Sequence, residues 1–227
     1  VAILEKGWLG GGNTGRNTTI IRSNYLQDPS AAIYEKARSL YETMSQDLNY
    51  NVMFSPRGVI MLAQTEHEVR GYKRTAHANM LQGVTTEFIS PEKVKELVPI
   101  INLDGPRYPV LGGLWQARGG TARHDAVAWA YARGADQGGA EIHQRTTVSD
   151  IEVVDGRVAG VHTDRGFIKT RKVISAVAGW TTSIQRMVGL RTPLVVHPLQ
   201  AMVTEPFKPW LDAIVVSASL HTYVSQS

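Results

Sequence analysis

The apolar positions change their period several times along the chain, and each change marks an element. Val1 to Glu5 (VAILE) is a continuous apolar run closed by an acid, which predicts a buried strand. A loop rich in Gly, Asn and Thr follows over 7–18 (GWLGGGNTGRNT). It turns apolar and β-branched at Thr18-Thr19-Ile20-Ile21, so it feeds into packed structure. Asp28-Pro29 supplies a helix start, and Ile33, Ala37, Leu40, Met44 and Leu48 recur at helical spacing, predicting an amphipathic helix over 29–48. VMFSPRGVIMLAQ reads as two short strands around the turn Ser55-Pro56-Arg57-Gly58. Glu66 to Leu81 predicts a second helix stopped near Gly83, and Ser90-Pro91-Glu92 opens a third that ends before Pro99. The stretch 104–122, dense in Gly and Pro, reads as irregular.

The second half alternates differently. Asp125 caps a helix over AVAWAYARGADQ, closed by Gly138-Gly139. TTVSDIEVV, RVAGVHT and FIKTRKVISAVAG form a meander with hairpin turns at Asp155-Gly156 and Arg165-Gly166. KVISAVAGW, apolar and small, predicts a buried strand leading into a helix from Thr181 to Val188. LVVHPLQAMVTEP and IVVSASLHTYVSQ return to strand-like patterning. This order predicts an α/β fold: one nucleotide-binding layer interrupted by a second, α+β domain built from separate stretches. The expected division is 1–22 and 117–190 for the first domain, 23–116 and 191–227 for the second.

Composition narrows the classes. The 227 residues, 43% hydrophobic, suffice for one large or two interleaved cores. The net charge of +4 comes from scattered Lys and Arg, which describes a solvated surface and not a nucleic-acid face. The absence of Cys excludes disulfides and thiolate metal sites and fits a cytoplasmic protein. No run approaches the ~18 apolar residues of a membrane span, and no signal-peptide pattern is visible.

The candidate chemistry begins at Glu5. A carboxylate ending the second strand of a dinucleotide unit can accept both ribose hydroxyls; a strand-end acid in solvent is the plain alternative. The first strand and G-x-G-x-x-G turn of such a unit do not precede Val1, and the chain closes in the strand-like HTYVSQS. Both ends therefore read as cut. Val1–Glu5 is expected to lack a parallel neighbour, and the chain alone to show little activity or flavin binding.

Gly10-Gly11-Gly12 with Asn13, Thr14, Asn17, Thr18 and Thr19 can cradle a pyrophosphate or border a flavin ring; a flexible surface loop is the alternative. Arg22, just past the apolar run, offers the planar fork that clamps a carboxylate, unless it is an ordinary exposed arginine. His124, at the foot of a helix, has three readings: a residue without chemistry, a general base, or a nucleophile that tethers a flavin through its 8α-methyl carbon. The seven histidines show no H-E-x-x-H or similar spacing, so no metal site is expected.

VAILEKGWLGGGNTGRNTTIIRSNYL, PIINLDGPRYPVLGG, TARHDAVAWAYARGA and HPLQAMVTEPF together resemble the β subunits of heterotetrameric sarcosine oxidases, within the D-amino-acid-oxidase-like group of FAD oxidoreductases. The resemblance covers essentially the whole chain. It implies a Rossmann-like FAD-binding domain of the glutathione-reductase type, interleaved with a sheet-plus-helices substrate domain and incomplete here. It also implies non-covalent FAD, a covalent FMN on His124, and α, γ and δ partner subunits without nucleic acid or membrane. The implied reaction oxidises sarcosine at FAD and passes electrons to FMN and then oxygen. Its products are glycine, hydrogen peroxide, and formaldehyde or a one-carbon unit on tetrahydrofolate. Dimethylglycine, glycine or another N-methyl amino acid as substrate, or a flavin-holding subunit without turnover, are the alternatives.

Residue by residue, the resemblance puts Glu5 and Lys6 at the FAD ribose and Asn13, Asn17, Thr18, Thr19 and Ile21 along the cofactor. It places Val148 at the adenine, Arg22 at the substrate carboxylate and Tyr223 over the flavin face. Ala176-Val177-Ala178-Gly179-Trp180 departs slightly from the family's usual G-A-G or A-A-G.

Overall fold

In the computed structural model, which describes residues 1–226, strand β1 (Ala2–Leu4) and a loop with one 3-10 turn lead to the two-residue strand β2 (Ile20–Ile21). Helix α1 (Asp28–Asp47), β3 (Val59–Ala63), α2 (Glu66–Leu81), β4 (Glu87–Ile89) and α3 (Pro91–Leu97) follow. Next come β5 (Gly112–Gln116), β6 (Gly120–Thr121), α4 (His124–Gln137) and β7 (Glu141–His143). The chain continues through β8 (Val148–Val154), β9 (Arg157–Thr163), β10 (Gly166–Lys169), α5 (Thr181–Arg186), β11 (Ile214–Ser217) and β12 (Thr222–Val224). The fold is α/β. No helix among the described residues is long and apolar enough to cross a membrane. Ser227, the last residue of the expected fourth segment, lies outside the described residues.

The chain divides into two compact units, each made of two separated stretches: Val1–Asn17 with Tyr131–Met202, and Thr18–Ala130 with Val203–Ser227. The larger unit is built on a mixed sheet in the order β12-β11-β3-β5-β4, with β11 and β3 parallel and the other pairs antiparallel. Its core holds Ile60, Leu62, Ile89, Val94, Val98 and Val110, with Leu211 and Ala213 arriving just before β11. A second cluster packs Met44 and Tyr41 of α1 on Val52, Phe54 and Ala130. The helices form where local chemistry starts them. The Thr65 hydroxyl accepts the Glu68 N–H at 3.2 Å while the Glu68 carboxylate accepts the Gln64 N–H at 2.7 Å, and Ser90 caps α3 with Pro91 in its first turn.

The smaller unit holds the parallel pair β1–β7 and the antiparallel meander β8–β9–β10. Asp155 and Gly156, both at positive φ (50° and 72°), turn β8 into β9 as a two-residue hairpin requires.

Five expectations are corrected. Val1–Glu5 is neither buried nor without a parallel neighbour: β1 pairs with β7 from Ala2↔Glu141 to Leu4↔His143, and Ile3 stays exposed on a pair that no third strand joins among the described residues. Val52 to Phe54 is not a strand; Met53 takes a positive φ of 51°, which breaks the ladder, and only an isolated bridge forms at Ser55↔Thr121. The stretch 104–122 is not wholly irregular, because Gly112–Gln116 is a nearly fully buried strand paired on both sides. KVISAVAGW and LVVHPLQAMVTEP form no strands: no ladder partner runs beside them among the described residues, so Ile174, Val195, Met202 and Val203 stay more than 90% exposed. Finally, α1 does not bury Ile33 and Leu40, which are exposed; its inward positions include Ala31, Arg38 and Met44.

Gly58 shows how tightly the larger sheet closes. It sits at φ 84°, and a Cβ there would fall 1.6 Å from the Trp115 ring. Gly83, at φ 74°, faces open space. Gly83→Ala is expected to cost about 1–2 kcal/mol from backbone strain alone, whereas Gly58→Ala adds an overpacking cost of roughly 1–3 kcal/mol. Urea unfolding midpoints of the two variants, compared with the parent, check the difference.

Candidate functional site

In the smaller unit, β1 delivers Glu5 to the end of a parallel pair. The segment after β7 runs beside it, with Thr146 N–H on Glu5 O (2.9 Å) and Arg145 N–H on Gly7 O (2.8 Å). Two residues later Val148 opens β8, half-buried and paired with Thr163. Glu5 and Val148 are thus brought onto adjoining segments. The Glu5 carboxylate uses Oε1 to accept the Gly7 N–H at 2.7 Å, while Oε2 has no hydrogen-bond partner among the described residues. Lys6 is engaged elsewhere, its Nζ 3.4 Å from the Trp180 ring centroid.

The loop that follows is folded on itself. A Cβ at Gly15 would lie 2.2 Å from the Gly10 carbonyl oxygen, so the turn closes only around glycine. The Asn17 amide donates to the Thr14 carbonyl and to Asn13 O at 3.4 Å, while Asn13 is exposed. The free carboxylate oxygen at a strand end and a glycine loop with exposed amide side chains fit a dinucleotide's ribose and pyrophosphate.

In the larger unit the loop ends at Thr19, which holds φ at 62°, an uncommon conformation for a β-branched residue and one that marks strained functional loops. The Thr19 carbonyl accepts the Ala122 N–H at 3.1 Å, and β2 pairs antiparallel with β6 (Ile20↔Thr121, Ile21↔Gly120). Thr18, Thr19, Ile21 and Arg22 are therefore held beside the strand that leads into His124. Helix α4 starts at His124, two residues earlier than expected, with Asp125 inside its first turn and bonded to Arg123 Nε at 2.9 Å. His124 is half-buried, and its Nδ1 is buried without a hydrogen-bond partner among the described residues. Tyr223 stands exposed on the edge strand β12, opposite Val216, and makes no hydrogen bond or ring contact among the described residues.

Arg22 is the focus of this unit. It is half-buried and has no carboxylate partner among the described residues. Its Nη1 donates to Asn24 Oδ1 at 2.8 Å, and its Cζ lies 4.3 Å from the Tyr25 ring centroid, which in turn stacks on Tyr34 at 4.2 Å. Burial raises the Tyr25 phenol despite the opposing pull of Arg22, and burial followed by Glu68 raises that of Tyr72 against the same pull. Both phenols stay neutral and supply no counter-charge, and the guanidinium's Nε and Nη2 make no hydrogen bond among the described residues.

Behind Arg22 lies a polar network that the sequence reading missed. Gln116, at the end of β5, accepts the Ser23 N–H (2.9 Å) and donates to Ser23 Oγ (2.6 Å). Ser23 Oγ donates to Glu35 Oε2 at 2.5 Å. Arg38, only 1% exposed, grips Glu35 through two nitrogens and reaches Glu42 at 2.7 Å, which Arg118 also holds at 2.7 Å. The signal was present as acids and a base at i, i+3 and i+7 on a predicted helix, a pattern that ordinarily describes a solvated face.

Comparison with known proteins follows from this geometry. The family model for the FAD dependent oxidoreductases (DAO) matches residues 1–227, and the chain belongs to that family. Within it, the sequence is 63% identical over 227 residues to sarcosine oxidase subunit beta of Rhodobacter capsulatus, and 49% identical over 228 to that of an Arthrobacter species. All of this chain is covered in both, but it spans 55% and 56% of those relatives' lengths. Among solved structures, L-proline dehydrogenase from P. horikoshii superposes with a TM-score of 0.92 at 28% identity, over 100% of this chain and 60% of that one.

Burial would raise the Glu35 carboxyl, but hydrogen bonds from Arg38 and Ser23 outweigh it and hold it below the ordinary value; the same pattern, with Arg118 and Arg38, lowers Glu42. A depressed carboxyl contributes stability that is complete above the unfolded value of about 4.3 and is lost as pH falls through the folded value. The melting temperature of the parent is therefore expected to fall steeply below about pH 4.3. Glu35→Gln should begin lower and show a shallower slope over that window, measured by circular dichroism.

Proposed function

We propose that this chain is the flavin-binding, substrate-oxidising part of a sarcosine oxidase, acting with α, γ and δ subunits. The observation that carries the reading is Arg22: a half-buried guanidinium with no acid partner among the described residues, flanked by neutral phenols and standing at the end of a strained glycine-rich loop. Leaving such a charge unpaired is costly unless an anion completes it. A small amino acid's carboxylate is that anion, received side-on by Nε and Nη2. Its relatedness to sarcosine oxidase β subunits supports sarcosine as the substrate.

The roles follow from the placements. Glu5 and Lys6 serve the FAD ribose, Glu5 through its free Oε2, and Val148 meets the adenine through its backbone. Asn13, Asn17, Thr18, Thr19 and Ile21 line the rest of the cofactor. Bound FAD supplies the hydride acceptor for the substrate's C–H bond. Arg22 fixes the carboxylate and so the direction in which the N-methyl group points, which is where proximity lowers the barrier. Tyr223 borders the flavin face. The products are glycine, hydrogen peroxide, and formaldehyde or methylene-tetrahydrofolate. His124 would carry a second flavin, FMN, covalently through an imidazole nitrogen. We read the smaller unit as part of the FAD domain and the larger as the substrate domain, although 18–22 and 117–130, expected in the first domain, fall in the larger unit.

Acid precipitation of the full-length protein, co-expressed with its partners, tests the tether. Yellow flavin is expected in the pellet of the parent and absent from that of His124→Ala; colour that persists in the variant overturns the assignment. In the same complex Arg22→Ala is expected to lower kcat/KM for sarcosine by about 100-fold or more, the scale of a lost charge-assisted bidentate contact. Unchanged oxidation would place the chemistry elsewhere. A better kcat/KM for dimethylglycine would replace sarcosine as substrate.

A further inference from the structure

Arg22 stands between two immobilised pairs of residues. On one side Ile20 and Ile21 are locked in the β2–β6 ladder. On the other, Ser23 (0% exposed) and Asn24 (3%) are fixed by side chains. Ser23 is held at its backbone and hydroxyl by Gln116, and its hydroxyl is passed on to Glu35, which Arg38 grips. Asn24 rests its amide Nδ2 3.7 Å from Met61 Sδ on β3 and turns Oδ1 toward Arg22 Nη1. The Tyr25 ring supports the flat face of the guanidinium, and Tyr34 supports Tyr25.

We propose that Asn24 and the Gln116–Ser23–Glu35–Arg38 chain are positioning residues that hold Arg22 ready for the substrate carboxylate. The proposal rests on Arg22 being the carboxylate clamp. A free arginine side chain loses much of its rotamer freedom on binding, and binding is weaker by that loss. Here the neighbouring groups have already ordered it. Asn24 occupies one nitrogen and leaves the Nε/Nη2 edge as the open fork, so the carboxylate has a single bidentate approach. That approach fixes the substrate's orientation, and a displacement of about 1 Å is enough to cost roughly 10²-fold in rate. The Gln116 link makes the strand order of the sheet part of this device, because the residue that ends β5 sets the backbone next to Arg22.

The test uses the flavin-loaded, fully assembled complex and methoxyacetate, an unreactive isostere of sarcosine, with binding read by titration calorimetry. Arg22→Met is expected to weaken binding about 100-fold, Asn24→Ala about tenfold, the scale of one hydrogen bond to a charged group, and Gln116→Leu, which loses neutral hydrogen bonds to Ser23, about fivefold. Flavin content should stay at the parental value, the melting temperature should fall in Gln116→Leu because the buried Ser23 N–H loses its acceptor, and Asn24→Ser, which keeps an oxygen acceptor, should recover part of the binding loss. Limiting flavin reduction by sarcosine should slow in Asn24→Ala and Gln116→Leu, while oxidation of a secondary amine without a carboxylate should not. If Arg22→Met binds methoxyacetate like the parent, the clamp reading falls and the proposal with it. If Arg22→Met loses binding while Asn24→Ala and Gln116→Leu bind within twofold of the parent, the positioning role alone is overturned. Should Gln116→Leu fail to load flavin, the Asn24 pair of variants decides by the same outcomes.

Discussion

A guanidinium with 1% exposure cannot be left unpaired, and the larger unit is organised around meeting that demand for Arg38. The acids that meet it, Glu35 and Glu42, come from its own helix, while the groups that complete those acids come from elsewhere: Ser23 after β2 and Arg118 after β5. The four formal charges of Glu35, Arg38, Glu42 and Arg118 cancel, so α1 is fastened to the sheet by a neutral, hydrogen-bonded cluster. An apolar interface could bind α1 as strongly. It would not specify where Ser23 sits to within the length of a hydrogen bond.

That placement connects stability to chemistry. Arg38 is fully satisfied and silent; Arg22, sixteen positions earlier in the numbering, is left without an acid. The contrast between the two arginines is the most informative electrostatic feature of the chain. One is neutralised by the fold, and the other is kept for an incoming anion. The strained Thr19 and the glycine turn before it bring the loop to this point at a cost in backbone energy that the β2–β6 pairing and the Ala122 hydrogen bond offset.

Much of this was legible in the sequence. Helical spacing, Pro29, Pro91 and the stop at Gly83 place α1, α2 and α3, and Asp155-Gly156 places a hairpin, because these signals are local. Arg22, Glu5 and His124 stood out as isolated chemistry in suggestive surroundings, and the β2–β6 ladder accounts for Arg22 and His124 belonging to neighbouring segments. What was not legible depended on long-range pairing. Gly112–Gln116 looked irregular because its glycines earn their place only against Ile60 and Phe88 across the sheet. KVISAVAGW looked like a buried strand because apolar pattern says nothing about whether a neighbour exists. The inward face of α1 was misread for a related reason: a buried ion cluster breaks the rule that the apolar stripe is the core stripe, and only the partners at Ser23 and Arg118 reveal the exception.

The Ser23–Gln116–Glu35–Arg38 cluster also shapes how this protein can drift over evolutionary time. Ser23 and Glu35 each bond two of the others, and Gln116 and Arg38 one each, so replacing any one strands a buried polar atom or charge on a neighbour. Exchange for a set of apolar residues with matching volume is nearly neutral only when all change together. The four positions therefore constitute one heritable unit spread over a loop, a helix and a strand, and divergence should preserve them as a group or replace them as a group.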